Sequence, residues 1–201
     1  MKARTVILAA GEFPRRGGVA WNLLANSRLV VACDSAADAY RRRFGKSADY
    51  IVGDMDSVRS VGSAEVVRDT DQNTNDLTKA IEFCRSRGWR DIVIVGATGK
   101  REDHSIGNVF RALDAMVPVV ADYGVFHPFV GKAMFGTAVG AAVSVFAPYP
   151  GTKMTSRGLV WPLDEVAFEN LYVATLNRAS AKRITLTATR PACVFLASAA
   201  Q

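Results

Sequence analysis

Histidine and cysteine are scarce in this chain: its 201 residues include two His and three Cys. Cys33, Cys84 and Cys193 are odd in number, lie far apart and form no Cys-x-x-Cys pair, which argues against both a disulfide framework and a structural zinc site. No apolar run approaches the roughly 20 residues of a membrane span. The stretch from Met1 to Phe13 lacks the long apolar centre and small-residue cleavage site of a secretory signal, so a cytoplasmic protein is expected. Internal repeats and low-complexity segments are also absent. Carboxylates show the most informative gap. Of 19 Asp and Glu, 16 precede residue 126 and only Asp164, Glu165 and Glu169 follow it, whereas Lys and Arg divide 18 to 7 across the same line. The net charge of +6 is therefore no compact basic stripe, and any site that needs several carboxylates must lie in the first part.

What remains is ordinary globular material, 49% hydrophobic and 22% charged, enough for one large domain or two small ones. Thr5 to Ala9, Leu29 to Cys33, Tyr50 to Val52 and Ile92 to Val95 are short, continuously apolar and β-branched, the pattern of strands covered on both faces. Between them Ala36 to Phe44, Asn75 to Arg87 and Asp103 to Met116 read as helices. In the second helix Leu77, Ala80, Ile81 and Cys84 recur at helical spacing, and Gly88 follows as a stop. Alternation of strand and helix predicts an α/β domain with a doubly wound, mostly parallel, Rossmann-like sheet over residues 1–124. Residues 125–201 change texture. Ala142 to Ala147, Leu171 to Leu176, Arg183 to Thr189 and Ala192 to Ala197 are strand candidates divided by Pro148 to Gly151, Asn177-Arg178 and Arg190-Pro191, which predicts a small β-sandwich domain.

In a doubly wound sheet ligands gather beyond the carboxyl ends of the strands. Three apolar runs end there in acid: Asp34; Asp54 and Asp56 after Gly53; and Asp69 and Asp71 after Arg68. A fourth ends in Gly96-Ala97-Thr98-Gly99-Lys100-Arg101 and then Asp103-His104. Singly, Asp34 and Asp103 read equally as helix N-caps and Asp54 and Asp56 as a solvated turn. Together they repel one another and raise each other's pKa, so a fold that gathers them calls for a cation. Oxygen ligands without His or Cys point to Mg²⁺, and a glycine loop with Lys100 and Arg101 supplies N–H groups and charge for a polyphosphate. This combination implies nucleotide phosphotransfer. The loop departs from the Walker A spacing, which excludes a P-loop kinase.

Four ordered motifs carry a resemblance over most of the chain: Cys33-Asp34-Ser35-Ala36-Ala37, Gly53-Asp54-Met55-Asp56-Ser57, Asp71-Gln72-Asn73-Thr74-Asn75-Asp76-Leu77-Thr78-Lys79, and Gly99-Lys100-Arg101-Glu102-Asp103-His104 with Asn108. The set resembles the thiamine pyrophosphokinase family, which transfers a diphosphoryl group from ATP to thiamine. The resemblance implies that Asp34, Asp54, Asp56 and Asp76 surround Mg²⁺, that Lys79 and Arg101 hold ATP phosphates, and that Asp103 sits beside them as a metal ligand or its neighbour. It also implies that Gln72 contacts the aminopyrimidine and that His104 and Asn108 belong to the ligand-contacting set. His104 is open to a general-base role or a structural one at a helix start. In the second part Gly158 to Leu163 looks like the family's Gly-Leu-Lys-Trp-x-Leu, and Ala174-Thr175-Leu176-Asn177 stands at its Ser-Thr-Ser-Asn. Trp161 would then face the thiazolium cation or, equally, be sandwich core, and Asn177 would be a pocket or a turn residue. Asn73 and Asn75 replace an Asp and a Thr of the third motif, Leu176 replaces a Ser, and Arg178 follows Asn177. The resemblance further implies a homodimer, with the vitamin between the first domain of one chain and the β domain of the other.

Two neighbouring chemistries share these features. Leu8-Ala9-Ala10-Gly11-Glu12-Phe13-Pro14-Arg15 looks like the loop of sugar-phosphate nucleotidyltransferases, although Phe13 stands where that loop needs glycine. A pterin-type diphosphokinase would use similar carboxylates. From a different class, a basic nucleic-acid-binding module would use Arg41-Arg42-Arg43, which also suits the solvated C-terminal end of a helix.

Overall fold

The computed structural model describes residues 5–164 and 166–198. It is a mixed α/β chain with four helices among the described residues, and its packing divides into two units: Met1–Ala115 with Val119–Asp122, and Met116–Pro118 with Tyr123–Gln201. None of the described helices is long and apolar enough to cross a membrane.

The first unit runs β1 (Thr5–Leu8), α1 (Val19–Ala25), β2 (Leu29–Cys33), α2 (Ala36–Phe44), β3 (Tyr50–Gly53), β4 (Glu65–Arg68), α3 (Asp76–Ser86), β5 (Ile92–Val95), α4 (Glu102–Asp114) and β6 (Val119–Ala121). The strands stand in the order β6-β5-β1-β2-β3-β4, and every neighbouring pair is parallel. Every residue of β1 and β5 is buried, so both faces of the sheet centre are covered, as continuous apolar runs require. At the edge, β4 leaves Glu65, Val66 and Arg68 exposed. Strand order reverses between β1 and β5, the switch point at which open α/β sheets offer a ligand crevice beyond the carboxyl ends of their strands.

The expected helical face of α3 is present: Leu77, Ala80, Ile81 and Cys84 are all buried, each large aliphatic stabilising the fold by about 1.5–3 kcal/mol. Gly88 accepts a positive φ just past its end, and its N–H donates to the Arg85 carbonyl. Helix α1 has no sequence signature because it is seven residues long and no side chain caps its start.

The second unit comprises β7 (Gly124–Gly136), β8 (Ala142–Phe146), β9 (Thr152–Arg157), β10 (Ala167–Phe168), β11 (Ala174–Arg178) and β12 (Arg183–Ala197). All its pairs are antiparallel: β12 pairs β7 along its length, β9 over its first half and β8 over its second, while β10 adds to β9 and β11 to β8. Burial alternates along β8 and β9, and Val143, Val145, Met154, Phe168, Ile184, Leu186 and Val194 form one core.

Two sequence expectations change here. Arg190-Pro191 does not separate two strands. Thr189, Arg190 and Pro191 lie opposite Val130 alone, so the proline is absorbed in a bulge that spares it a ladder hydrogen bond, and β12 continues. The strand expected over Leu171 to Leu176 begins later, at Ala174, because the Tyr172 carbonyl accepts from both the N–H and the Oγ1 of Thr175 and closes a turn. Asn177 and Arg178 consequently belong to β11 rather than to a connection.

Candidate functional site

Adjacent strands β2 and β3 end in the acidic motifs, and their register places Cys33 beside Val52. Asp34 follows β2 with a backbone φ of 42°, its N–H donating to the Val52 carbonyl at 3.0 Å. That conformation removes it from the helix-capping role: Ser35 is the N-cap residue of α2, and the Asp34 carboxyl turns inward instead. Asp34 is 5% exposed, and its buried Oδ1 has no hydrogen-bond partner. One carboxylate oxygen from each of Asp34, Asp54 and Asp56 lies within 4.8 Å of the others. Between the latter two, Met55 adopts φ 70°, so the turn that aims both acids at Asp34 is locally strained. The Asp56 N–H donates to Asp54 Oδ1 at 3.2 Å, and the Ser57 hydroxyl to Asp56 Oδ1 at 2.7 Å.

Helix α3 brings the fourth carboxylate. Asn75 is its N-cap, with the side-chain oxygen accepting from the Thr78 N–H at 2.9 Å, and Asp76 occupies the first turn where the helix dipole favours negative charge. Asn75, standing where the resembled motif has Thr, thus supplies a helix cap. Asp76 comes up against Gly53: a Cβ built there would meet Asp34 Cβ at 3.1 Å and Asp76 Oδ1 at 3.2 Å. Burial pushes the Asp34 and Asp76 carboxyls above the usual range, and like charges add to this: Asp56 and Asp54 on Asp34, and Asp34 first on Asp76. Asp54 is held lower by the Asp56 N–H and the Gln72 amide.

Lys79 lies one turn along α3, 3.8 Å from Asp76, but it is 4% exposed and its Nζ donates to the Asp69 carbonyl at 2.9 Å. It therefore ties the β4 loop to the acidic rim. Gln72 hangs over the rim, its amide 3.4 Å from Asp54 Oδ2. Asn73 donates through both its N–H and its side-chain amide to Asp71 Oδ1, at 2.9 and 2.8 Å, where an Asp would offer a second like charge and no side-chain donor.

After β5, Gly96 and Gly99 take positive φ, and Gly11 packs so closely that a Cβ would sit 2.4 Å from the Gly96 carbonyl oxygen, so the β1 and β5 loops meet backbone to backbone. Arg101 and Asp103 form an exposed bidentate pair at 3.1 and 2.6 Å, which holds the Asp103 carboxyl down at about 2. Asp103 sits in the first turn of α4, with Arg101 as the N-cap residue, so it is not the cap. His104 is exposed in the same turn. Asn108 donates to the Ala97 carbonyl at 2.9 Å and accepts from Asn75 at 3.5 Å, which links the β5 loop to the start of α3.

In the second unit Trp161 is 56% exposed, which removes it from the core. Its backbone is clasped by buried Asn177, whose Oδ1 accepts the Trp161 N–H at 3.2 Å and whose amide donates to the Trp161 carbonyl at 2.7 Å. Leu176, at the bulge of β11, is 84% exposed with φ 62°.

Sequence patterning did not reveal a cavity of 640 Å³ in the first unit, lined by Phe13, Ser35, Arg42, Arg43, Arg59 and Lys100 among others. Arg42 and Arg43, expected on a solvated helix end, face it. The signal available was the Gly11 to Phe13 loop, which places Phe13 against Phe44 at 6.2 Å and so fixes which side of α2 borders the crevice.

A family model described as thiamin pyrophosphokinase, catalytic domain, matches residues 20–120, and one described as thiamin pyrophosphokinase, substrate-binding domain, matches residues 124–195. Thiamin pyrophosphokinase 1 of Caenorhabditis elegans is 30% identical over 132 residues, covering 59% of this chain and 54% of that protein. Thiamine pyrophosphokinase 1 of Oryza sativa subsp. japonica is 25% identical over 206 residues, covering 82% and 75%. Among solved structures, a thiamin pyrophosphokinase family protein from Enterococcus faecalis has the same fold, with TM-score 0.78 and 13% identity over 98% of this chain and 100% of that one.

Proposed function

The chain belongs to the thiamin pyrophosphokinase family, and we propose that it transfers the diphosphoryl group of ATP to the hydroxyl of thiamine, giving thiamine diphosphate and AMP. The observation that carries this reading is the convergence of Asp34, Asp54 and Asp56 within 4.8 Å, with Asp76 against Asp34 across Gly53. A buried carboxylate oxygen without a partner, inside an all-oxygen cluster whose members repel one another, fits a hard divalent cation, and we take that ion to be Mg²⁺ held by these four residues. When bound, it would neutralise charge on the phosphate oxygens as the diphosphoryl group moves.

The chain's own residues do the positioning. Arg101 is exposed, and its fork, now spent on Asp103, is available to a phosphate that competes for it. Lys79 holds Asp76 and the Asp69 carbonyl, adding fixed positive charge beneath the rim. The thiamine hydroxyl oxygen attacks the β-phosphorus, the bond from that phosphorus to the AMP oxygen breaks, and the hydroxyl proton is released. Asp103 keeps Arg101 oriented, and His104 and Asn108 border the same loop. Gln72, whose amide lies over the carboxylate rim, would contact the aminopyrimidine. Trp161, exposed and held by Asn177, suits the thiazolium by cation–π attraction.

The finer architecture belongs to the same proposal: a Rossmann-like catalytic domain over residues 1–124, a β-sandwich acceptor domain over 125–201, and a cytoplasmic homodimer. Incubation with ATP, Mg²⁺ and thiamine followed by product mass spectrometry tests the activity, with thiamine diphosphate and AMP expected in equal amounts. AMP without thiamine diphosphate would overturn the acceptor, and a pterin alcohol in place of thiamine tests the neighbouring chemistry. Sedimentation analysis tests the dimer.

A further inference from the structure

The carboxylate rim occupies only one end of the crevice in the first unit. The 640 Å³ cavity starts at Ser35 and Ser57, which directly follow Asp34 and Asp56, and runs beside α2 to Arg42 and Arg43. Arg42 lies two helical turns beyond Ser35, about 10 Å along the axis. This far end has a particular chemistry. Arg42, Arg43 and Arg59 have no ion-pair partner among the described residues. Asp38, the one carboxylate in the lining, has both oxygens engaged, Oδ1 by Arg41 and Oδ2 by the Arg59 N–H. Phe13 forms an aromatic wall braced by Trp21 at 5.9 Å and Phe44 at 6.2 Å, and the Arg43 guanidinium lies 5.9 Å from its ring centroid.

Flat π surfaces and donor-only guanidiniums, with no free carboxylate, suit a planar ligand that carries carbonyl acceptors and an anionic tail. Arginine has five N–H donors and no acceptor, so it can serve a base's carbonyl oxygen or ring nitrogen but not an exocyclic amine. Resting on the phosphotransfer reading above, we propose that this cavity takes the nucleoside end of the donor nucleotide, and that Phe13, Arg42 and Arg43 read its base by stacking and by donation to ring acceptors. Adenine is then no requirement. Guanine, whose O6 and N7 match an arginine fork, binds as well as adenine or better, and stacking tolerates either base.

Titration calorimetry with AMP and GMP in Mg²⁺ buffer tests this. Arg42 and Arg43 are exposed, so Arg42→Ala and Arg43→Ala leave folding intact, which circular dichroism checks. The expected result is a GMP Kd equal to or below that of AMP, with the double variant weakening GMP about tenfold and AMP less. AMP binding more than tenfold tighter than GMP, a GMP Kd unmoved in the double variant, or no binding of either nucleotide would overturn the inference. Its failure is separable from that of the reaction. If thiamine is not diphosphorylated but the arginine-dependent binding persists, only the activity falls. If transfer proceeds with a nucleotide KM indifferent to both arginines, only the base-reading role falls.

Discussion

Asp34 and Asp76, from different elements and 42 positions apart in the chain, meet across the bare Cα of Gly53. A methyl at that position would lie 3.1 Å from Asp34 Cβ and 3.2 Å from Asp76 Oδ1, tighter than ordinary contact on both sides, and the glycine φ of 155° adds backbone strain for any other residue. Gly53→Ala is expected to lose about 1–3 kcal/mol of stability through overpacking and to spread the two carboxylates. Thermal denaturation with and without Mg²⁺ checks both effects; an unchanged midpoint together with an unchanged response to the ion would contradict the close approach.

The same carboxylates predict a pH dependence. Burial, reinforced by neighbouring acids, raises the folded-state pKa of Asp34 and Asp76. The folded chain therefore binds more protons than the unfolded one above the ordinary carboxylate range, so metal-free stability falls as pH rises through that window. A divalent cation removes the repulsion only when the acids are ionised. Mg²⁺ is expected to raise the melting temperature more at about pH 8 than at about pH 5. Asp34→Asn should stabilise the metal-free protein at the higher pH and abolish most of the Mg²⁺ response. Equal responses at both pH values would exclude the raised pair as the ion's site.

Asn75 departs from the family's pattern without losing the physics of the position. Its side chain caps α3 through Thr78 and reaches Asn108, so Asn75→Thr is expected to be nearly neutral, whereas Asn75→Ala loses about 1 kcal/mol. Urea denaturation of the two variants distinguishes them. Equal losses would mean that the cap contributes nothing.

The contrast between legible and hidden features has physical causes. Runs such as Ile92 to Val95 reveal themselves because a strand buried on both faces has no polar alternation, and the acids that follow then fall where such a sheet opens. The placement of Lys79 near Asp76 was readable from helical spacing, but its burial and its bond to the Asp69 carbonyl depend on the path of the β4 loop. Arg42 and Arg43 look like a solvated helix end until Phe13 arrives from 29 residues upstream to wall the crevice. Pro191 disguises β12 because a bulge residue resembles a turn residue in sequence, and only pairing between distant segments reveals continuity.

Trp161 and Asn177 separate binding from stability. Trp161 is more than half exposed, so Trp161→Ala is expected to change stability by no more than about 0.5 kcal/mol while raising the thiamine KM several-fold, the loss of a cation–π contact of about 1 kcal/mol. Asn177 is buried and serves three backbone groups: it accepts from the N–H of Trp161 and of Arg178 and donates to the Trp161 carbonyl. Asn177→Ala leaves those groups without their side-chain partner and is expected to cost about 1–3 kcal/mol, lowering the melting temperature by several degrees, and to raise the thiamine KM by loosening the Trp161 backbone. The nucleotide KM should stay unchanged in both variants, because neither residue lies in the unit that carries the carboxylates. A Trp161→Ala protein with normal thiamine KM would remove that ring from the acceptor pocket, and a stable Asn177→Ala protein would remove the clasp.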